Sequence, residues 1–305
     1  MKNKIIFLVG PTAVGKSDTA LLLAKKINGA IISCDSMQIY KGMDIVTSKP
    51  VMSARKRVKH YLMDEIGLKE EFDVSKYRQM ALKVIDRVIA KGKIPIFVGG
   101  TGLYVSTLVN GLFENKVGDR ALVKKLYSQA EKYGRMVLYK KLKKIDPKAA
   151  SKIHPNDLKR IIRALEVFKT TGKPISRLQA QRSGLAEDYD VKIFFLNLPR
   201  DVLYERINLR VDKMFKKGLL KEVARLSKKG LSRTASYAIG IKEINGYLKG
   251  EYPLEEARLR MQLNTRHYAK RQITWFRKET RAKWINIKAN DTPKRITRIL
   301  WKELS

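Results

Sequence analysis

Eight residues near the amino terminus, Gly10, Pro11, Thr12, Ala13, Val14, Gly15, Lys16 and Ser17, fill the pattern G-x-x-x-x-G-K-[ST]. The chemistry of that spacing is phosphate binding. Glycines let a tight turn aim successive backbone N–H groups at one anion, and a lysine ammonium neutralises its oxygens. The Ser17 hydroxyl, opening the next helix, can ligate Mg²⁺. The pattern leaves the phosphate unspecified, since ATP, GTP or a diphosphate leaving group on another substrate would all satisfy it. Two further groups stand at the ends of short apolar runs: Asp35 after Ile31, Ile32, Ser33 and Cys34, and Thr101 after Gly99 and Gly100. A carboxylate beside a phosphate can act as a general base or as an outer ligand of Mg²⁺, and position alone leaves both roles open. Thr101 can turn its hydroxyl toward a reaction channel or cap a helix. His60, His154 and His267 are scattered, so neither a histidine base nor a metal cluster is expected. The single cysteine, Cys34, excludes an internal disulfide and a zinc finger and suits a reducing compartment.

The elements that would hold these groups read as alternating strands and helices over 1–115. An apolar strand over Ile5, Ile6, Phe7, Leu8 and Val9 delivers the chain to the glycine-rich turn. A helix from Lys16, with Ala20, Leu21, Leu22, Leu23, Ala24 and Ile27 apolar, ends at Asn28-Gly29. A strand at 30–32 follows. Next come a helix with Ala81, Val84, Ile85, Val88 and Ile89 on one face, and a strand over 94–98. Alternation of this kind implies a parallel sheet with its ligands at the carboxyl ends of the strands, where Gly10, Asp35 and Thr101 all fall. From about Lys116 only helices are expected: an amphipathic one over 121–144, broken at Asp146-Pro147, and one opened by Pro155-Asn156-Asp157 and stopped at Gly172. The strand pattern returns over 191–196, followed by a long helix from Asp201, helices over 236–248 and 254–281, and a short edge strand near 284–287. The fold class is therefore α/β, a P-loop NTPase-like parallel sheet core with an inserted all-helical domain. The core takes 1–115 and 191–305, and the insertion 116–190.

In this chain 65 Lys and Arg against 29 Asp and Glu leave a net charge of +36, which calls for a polyanionic partner. A lysine-rich proteome is the alternative source. The excess avoids the phosphate cradle: 1–115 hold 18 basic and 10 acidic residues, 116–182 hold 19 and 5, and 201–305 hold 26 and 11. With 44% hydrophobic and 31% charged residues the composition is globular. The five apolar residues before Gly10 are too few for a signal-peptide core, and no run approaches a membrane span, so a cytoplasmic monomer is expected.

Asp35-Ser36-Met37-Gln38-Ile39-Tyr40-Lys41-Gly42-Met43-Asp44, one element after the cradle, is not explained by spacing rules. It resembles a segment of the tRNA dimethylallyltransferase (isopentenyltransferase) family. Further matching blocks are Gly99-Gly100-Thr101-Gly102-Leu103-Tyr104, and His154-Pro155-Asn156-Asp157 with Arg160 and Arg163-Ala164-Leu165-Glu166-Val167. Later come Arg206-Ile207 with Arg210-Val211-Asp212-Lys213-Met214, and Tyr268-Ala269-Lys270-Arg271-Gln272-Ile273-Thr274-Trp275-Phe276-Arg277. The blocks span nearly the whole chain in order. Departures from the family pattern fall at Val46, where glycine is usual, at Tyr61, where a second histidine is usual, and at Ile241, where tyrosine is frequent.

The resemblance implies transfer of a dimethylallyl group from dimethylallyl diphosphate to N6 of the adenosine 3′ of a tRNA anticodon, with diphosphate released. It assigns Asp35 as the base that an exocyclic amine needs, because the amine's lone pair is shared with the ring. It assigns Arg210 to the departing diphosphate beside the cradle residues, with Mg²⁺ at Ser17, although a helical arginine can equally be a solvated cation. Thr101 is implied near the transferred group, and Asp35, Ser36, Met37 and Gln38 against the flipped adenosine and its neighbours. On the helix after Asp157, Lys159, Arg160, Ile161, Ile162 and Arg163 are candidates for the anticodon stem-loop. The three cations there suit phosphates, and their alternative is a charged outer face. Tyr237, Gly240 and Lys242 are further tRNA candidates. Three rivals stay open: a P-loop kinase of a small metabolite, a prenyltransferase acting on free AMP, ADP or ATP, and a non-catalytic RNA-binding protein. The first lacks an apolar strand ending in aspartate at 94–98, the second needs no basic surface, and the third gives Asp35 no purpose.

Overall fold

A computed structural model of the chain describes residues 2–113 and 119–304. Six strands, β1 (Lys4–Val9), β2 (Gly29–Cys34), β3 (His60–Tyr61), β4 (Ile94–Gly99), β5 (Asp190–Asn197) and β6 (Ala282–Asn286), form one parallel sheet in the order β3-β2-β4-β1-β5-β6. In β1 and β2 residues of both parities are buried, which is why these strands are unbroken apolar runs and not alternating ones. Phe7 of β1 stacks on Phe97 of β4 with ring centroids 4.7 Å apart. The order reverses beside β1, which opens a crevice at the carboxyl edge. Register decides what meets there. Val9 pairs with Gly99 and Gly99 with Cys34, so the next residues, Gly10, Gly100 and Asp35, leave three adjacent strand ends side by side. Two strand spacings, roughly 10 Å, separate the first from the last.

The helix Lys16–Lys26 follows β1 directly, and Val74–Ile89 buries Tyr77, Ala81, Val84, Ile85 and Val88 at spacings of three and four. Asp73 starts the latter by accepting the N–H groups of Ser75 and Lys76. The long helix expected from Asp201 is Arg200–Lys216, and Gly218 at φ 96° parts it from a further helix, Leu219–Lys229, that the sequence did not announce. Leu254–Phe276 packs against Arg200–Lys216 and Ile241–Leu248, and a terminal helix not anticipated from the sequence, Pro293–Leu304, packs Ile296 and Leu300 into the cluster that holds Ala20 and Leu23.

The chain divides into two compact units, 1–109 with 188–305, and 110–187. The expected border at 115/116 lies outside the described residues. The second unit is helical, with Arg120–Tyr133, Arg135–Ile145 and Leu158–Thr171 around a core of Leu126, Leu138, Leu142, Ile161, Ile162 and Leu165. The single helix expected over 121–144 is broken at Gly134, whose φ of 80° and ψ of 147° only glycine adopts readily. Asp157 caps Leu158–Thr171 by accepting the Arg160 N–H, and Gly172 closes it in the left-handed region, as the sequence implied. Among the described residues no helix is long and apolar enough to cross a membrane.

Candidate active site

The cradle leaves β1 through Gly10, where a Cβ would meet the Leu196 carbonyl at 2.7 Å, so any side chain would push the turn off the sheet. Ala13 (φ 65°) and Gly15 (φ 100°) complete a left-handed turn that feeds Lys16–Lys26. The Lys16 ammonium donates to the carbonyls of Gly10 at 2.8 Å and Pro11 at 2.7 Å, and Ser17 is exposed on the first helical turn. One expectation needs correcting. Thr12 does not offer its amide to a ligand: that N–H donates to the side-chain oxygen of Gln272 at 3.0 Å, leaving the amides of 13–17 for an anion.

Asp35 follows β2 and holds the Met37 N–H with Oδ1 at 2.9 Å, an Asx turn that commits one carboxylate oxygen and spares the other. Thr101 begins the helix Gly102–Val109 by backbone bonds from Tyr104 and Val105, while its Oγ1 accepts the Ser36 N–H at 3.3 Å. The hydroxyl is thus turned to the segment after β2 and not to the first amides of its own helix, and Thr101 stands outside the linings of the three spaces that Arg210 borders. Arg210, from Arg200–Lys216, donates Nε–H to Ser48 Oγ at 3.1 Å. Gln38 ties the segment down by accepting from Ser33 Oγ and donating to the Thr47 carbonyl.

Lys16, Asp35, Gln38 and Arg210 are divided among the linings of three spaces that share residues. A narrow cavity of about 70 Å³ is lined by Lys16, Ser17, Asp35, Arg210, Tyr268 and Gln272, with Ala20, Ile31, Met63 and Val98 as apolar wall. Lys16, Ser17, Ser48, His60 and Arg210 are shared with a cleft of about 1080 Å³, whose rim carries Lys41, Arg206, Lys213 and Lys217. Thr12, Asp35, Arg210 and Tyr268 are shared with a third space of about 310 Å³, bordered by Ser36, Met37 and Tyr237. Arg210 touches all three.

Two cations and one carboxylate face each other in a desolvated space. Burial, with Arg210 beside it and against the pull of Asp35, pushes the Lys16 ammonium down to about 7. Burial likewise lowers Arg210, again opposed by Asp35. Tyr268 is raised well above the usual phenol range by burial and by Asp35, with Thr101 beside it pulling the other way. Cys34, buried under Tyr77, is pushed up to about 12 and is an inert thiol at neutral pH. An excess positive charge in low dielectric is what an anion with several negative oxygens would neutralise.

The remaining sequence candidates are distributed differently. Tyr237 is 69% exposed on the rim of the third space, whereas Gly240 and Lys242 stand outside its lining. Gly240, at φ 106°, starts the helix Ile241–Leu248 with its N–H on the buried Glu243, and Lys242 is exposed. In the helical unit Lys159 and Arg160 are exposed, Arg160 pairing with Asp157. Ile161 and Ile162 are corrected: at 0% and 3% exposed they fill the core of that unit, so their side chains cannot reach RNA. Arg163 bonds the buried Glu166 at 2.7 Å, a structural task beside any phosphate contact. Residues the sequence did not assign are Gln272, Tyr268, Ser48 and Glu222, whose buried carboxylate accepts the N–H groups of Asp44, Ile45 and Val46 and so fixes the loop that carries Ser48. Tyr268 and Gln272 fall within a quoted block. Their helical spacing from Met261 and Thr265, all facing the cavities, was the available signal.

The chain is similar to known proteins over nearly its whole length. The sequence pattern of the IPP transferase family matches residues 38–279. The tRNA dimethylallyltransferase of Thermosipho africanus is 50% identical over 97% of this chain and 97% of its own, and that of Acetivibrio thermocellus 46% identical over 98% and 96%. Among solved structures, the tRNA isopentenylpyrophosphate transferase of Bacillus halodurans superposes with a TM-score of 0.73 at 39% identity, covering 99% of this chain and 97% of that one. A eukaryotic dimethylallyltransferase acting on tRNA gives 0.82 at 32% identity, covering 99% and 78%. The α/β core with its phosphate loop is the fold of these neighbours, and the chain belongs to the IPP transferase family, that of the tRNA dimethylallyltransferases.

Proposed function

We propose that the chain transfers the dimethylallyl group of dimethylallyl diphosphate to N6 of the adenosine 3′ of a tRNA anticodon. The observation that carries this reading is the narrow cavity, where an anion cradle and a carboxylate face one another across an apolar wall of Ile31, Met63 and Val98. Such a space suits a short alkyl chain held between its leaving group and its acceptor. The C1–O bond to diphosphate breaks and its electron pair leaves with the diphosphate. The N6 lone pair forms the new bond to C1, and the N6 proton passes to Asp35. Lys16, the amides of 13–17 and Arg210 stabilise oxygens that gain charge as the bond breaks. Thr101, held by Ser36, orients the acceptor side.

Among the described residues no group of three or more His, Cys, Asp or Glu could hold a metal ion. The exposed Ser17 hydroxyl, a hard oxygen donor beside the cradle, would hold Mg²⁺. When bound it supplies charge neutralisation to the diphosphate. The 310 Å³ space, with Ser36, Met37 and the exposed ring of Tyr237, suits a purine turned out of a single-stranded loop. Lys159, Arg160 and Arg163 suit phosphates of the anticodon stem-loop.

The test is the partition of a labelled dimethylallyl donor, with Mg²⁺, among tRNA, its anticodon stem-loop and AMP. Label should enter tRNA and, in part, the stem-loop. Label in AMP alone, or phosphoryl transfer from ATP to a metabolite, would overturn the reading.

A further inference from the structure

Gln272 lies on the helix Leu254–Phe276, 5% exposed, with each end of its amide used once. Its Oε1 accepts the Thr12 N–H at 3.0 Å, and its Nε2–H donates to the Gly100 carbonyl at 3.0 Å. Only this orientation satisfies both partners, because a backbone N–H cannot accept and a carbonyl cannot donate. Gly100 makes room for it: a Cβ there would meet Gln272 Nε2 at 1.9 Å and the Gly10 carbonyl at 3.0 Å. The bridge thus joins the phosphate turn after β1 to the segment after β4, whose next residue is Thr101. No other side-chain type does the same at this length. Glutamate lacks the donor, lysine the acceptor, and asparagine is one methylene short.

We infer that Gln272 is a positioning residue that fixes the donor cradle relative to the acceptor-side strand end, through its paired bonds to Thr12 and Gly100. The inference rests on the function proposed above and deepens it. Strand pairing sets the spacing of β1 and β4, but the turns beyond the last paired residues, Val9 and Gly99, have no ladder to hold them. The amide of Gln272 is what crosses that gap. By taking the Thr12 amide it also directs an anion toward the amides of 13–17. Its loss leaves both substrates able to bind while C1 and N6 meet in the wrong geometry, and displacement by about 1 Å costs on the order of 100-fold in rate.

The experiment compares wild type, Gln272→Met, Gly100→Ala and the double variant in steady-state transfer to tRNA, with thermal unfolding of each. Methionine keeps the length and removes both bonds, and alanine at 100 expels the amide from the other side. Each single variant should lower kcat by about 10- to 100-fold with either KM within about threefold, and the double variant should lose little more than a single one, because one bridge is broken in all three. A folded Gln272→Met protein with kcat within threefold of wild type, an effect confined to KM, or losses that multiply in the double variant would overturn the role. If Gln272→Met does not fold, the same kcat and KM criteria applied to Gly100→Ala decide. Wild-type protein that transfers nothing would instead overturn the proposed function, and this inference with it.

Discussion

Diphosphate should bind more weakly as the pH rises through neutrality, and one lysine should account for the change. The Lys16 ammonium rests on the Gly10 and Pro11 carbonyls, and burial with the neighbouring Arg210 brings it down to about 7 against the opposing charge of Asp35. The empty site therefore holds Lys16 charged below that pH and neutral above it, while a diphosphate in the cradle keeps it charged. Binding above neutrality takes up a proton. About 90% of empty sites are protonated at pH 6 and about 10% at pH 8, so the lysine's share of affinity falls about tenfold, some 1.4 kcal/mol, over that interval. Calorimetry in two buffers of different ionisation enthalpy counts the protons. About 0.9 should be taken up per site at pH 8 and about 0.1 at pH 6, after subtraction of Lys16→Arg, which does not titrate and reports the ligand's own ionisation. Equal uptake by the two proteins at pH 8 would refute the reasoning. The same shift makes the empty protein gain stability between about 7 and 10.5, where the unfolded chain still binds the proton that the folded site has released.

Asp35→Ala should lower single-turnover transfer by about 10²- to 10⁴-fold with tRNA affinity nearly unchanged; a large affinity loss at unchanged turnover would make Asp35 a docking residue. Glu222→Ala leaves three amides of the 44–46 loop without their acceptor and should cost about 3 kcal/mol in urea unfolding at constant m, which an unchanged midpoint would contradict. Arg206, Lys213 and Lys217 recur at helical spacing on the cleft rim, with Arg210 between them reaching into the narrow cavity, so Lys213→Gln with Lys217→Gln should raise the donor KM a few-fold, leave kcat alone and reduce its salt dependence. Lys159→Ala with Arg160→Ala should flatten the salt dependence of tRNA binding by about 0.7 to 0.9 log units per lost contact, and an unchanged slope would return that helix to a solvated face.

What the sequence discloses is local. The cradle, the Asp157 cap and the Gly172 stop are each written in fewer than ten adjacent residues, and the apolar runs of β1 and β4 need only burial on both faces. What it conceals is set by packing between distant segments. Gln272 meets Thr12 across 260 positions, and Glu222 meets Val46 across 176; helical spacing can place Gln272 on a cavity-facing stripe, but it names neither partner. Gly134 is hidden because the amphipathic pattern runs on either side of it, although its positive φ ends the helix. The terminal helix carried its own signal, Thr292-Pro293 before Ile296 and Leu300, which its many basic residues masked. Ile161 and Ile162 stand in the stretch that the resemblance implies for RNA, but their apolar side chains belong to the core.

The account turns on a prenyl donor whose diphosphate is expelled as an adenine nitrogen is alkylated. The direct measurement is the ratio of inorganic diphosphate released to N6-dimethylallyladenosine formed in tRNA, with dimethylallyl diphosphate and Mg²⁺ supplied and ATP withheld. A one-to-one ratio is predicted. Unmodified tRNA beside intact donor, or a reaction that proceeds only with ATP and yields a phosphorylated product, would contradict it.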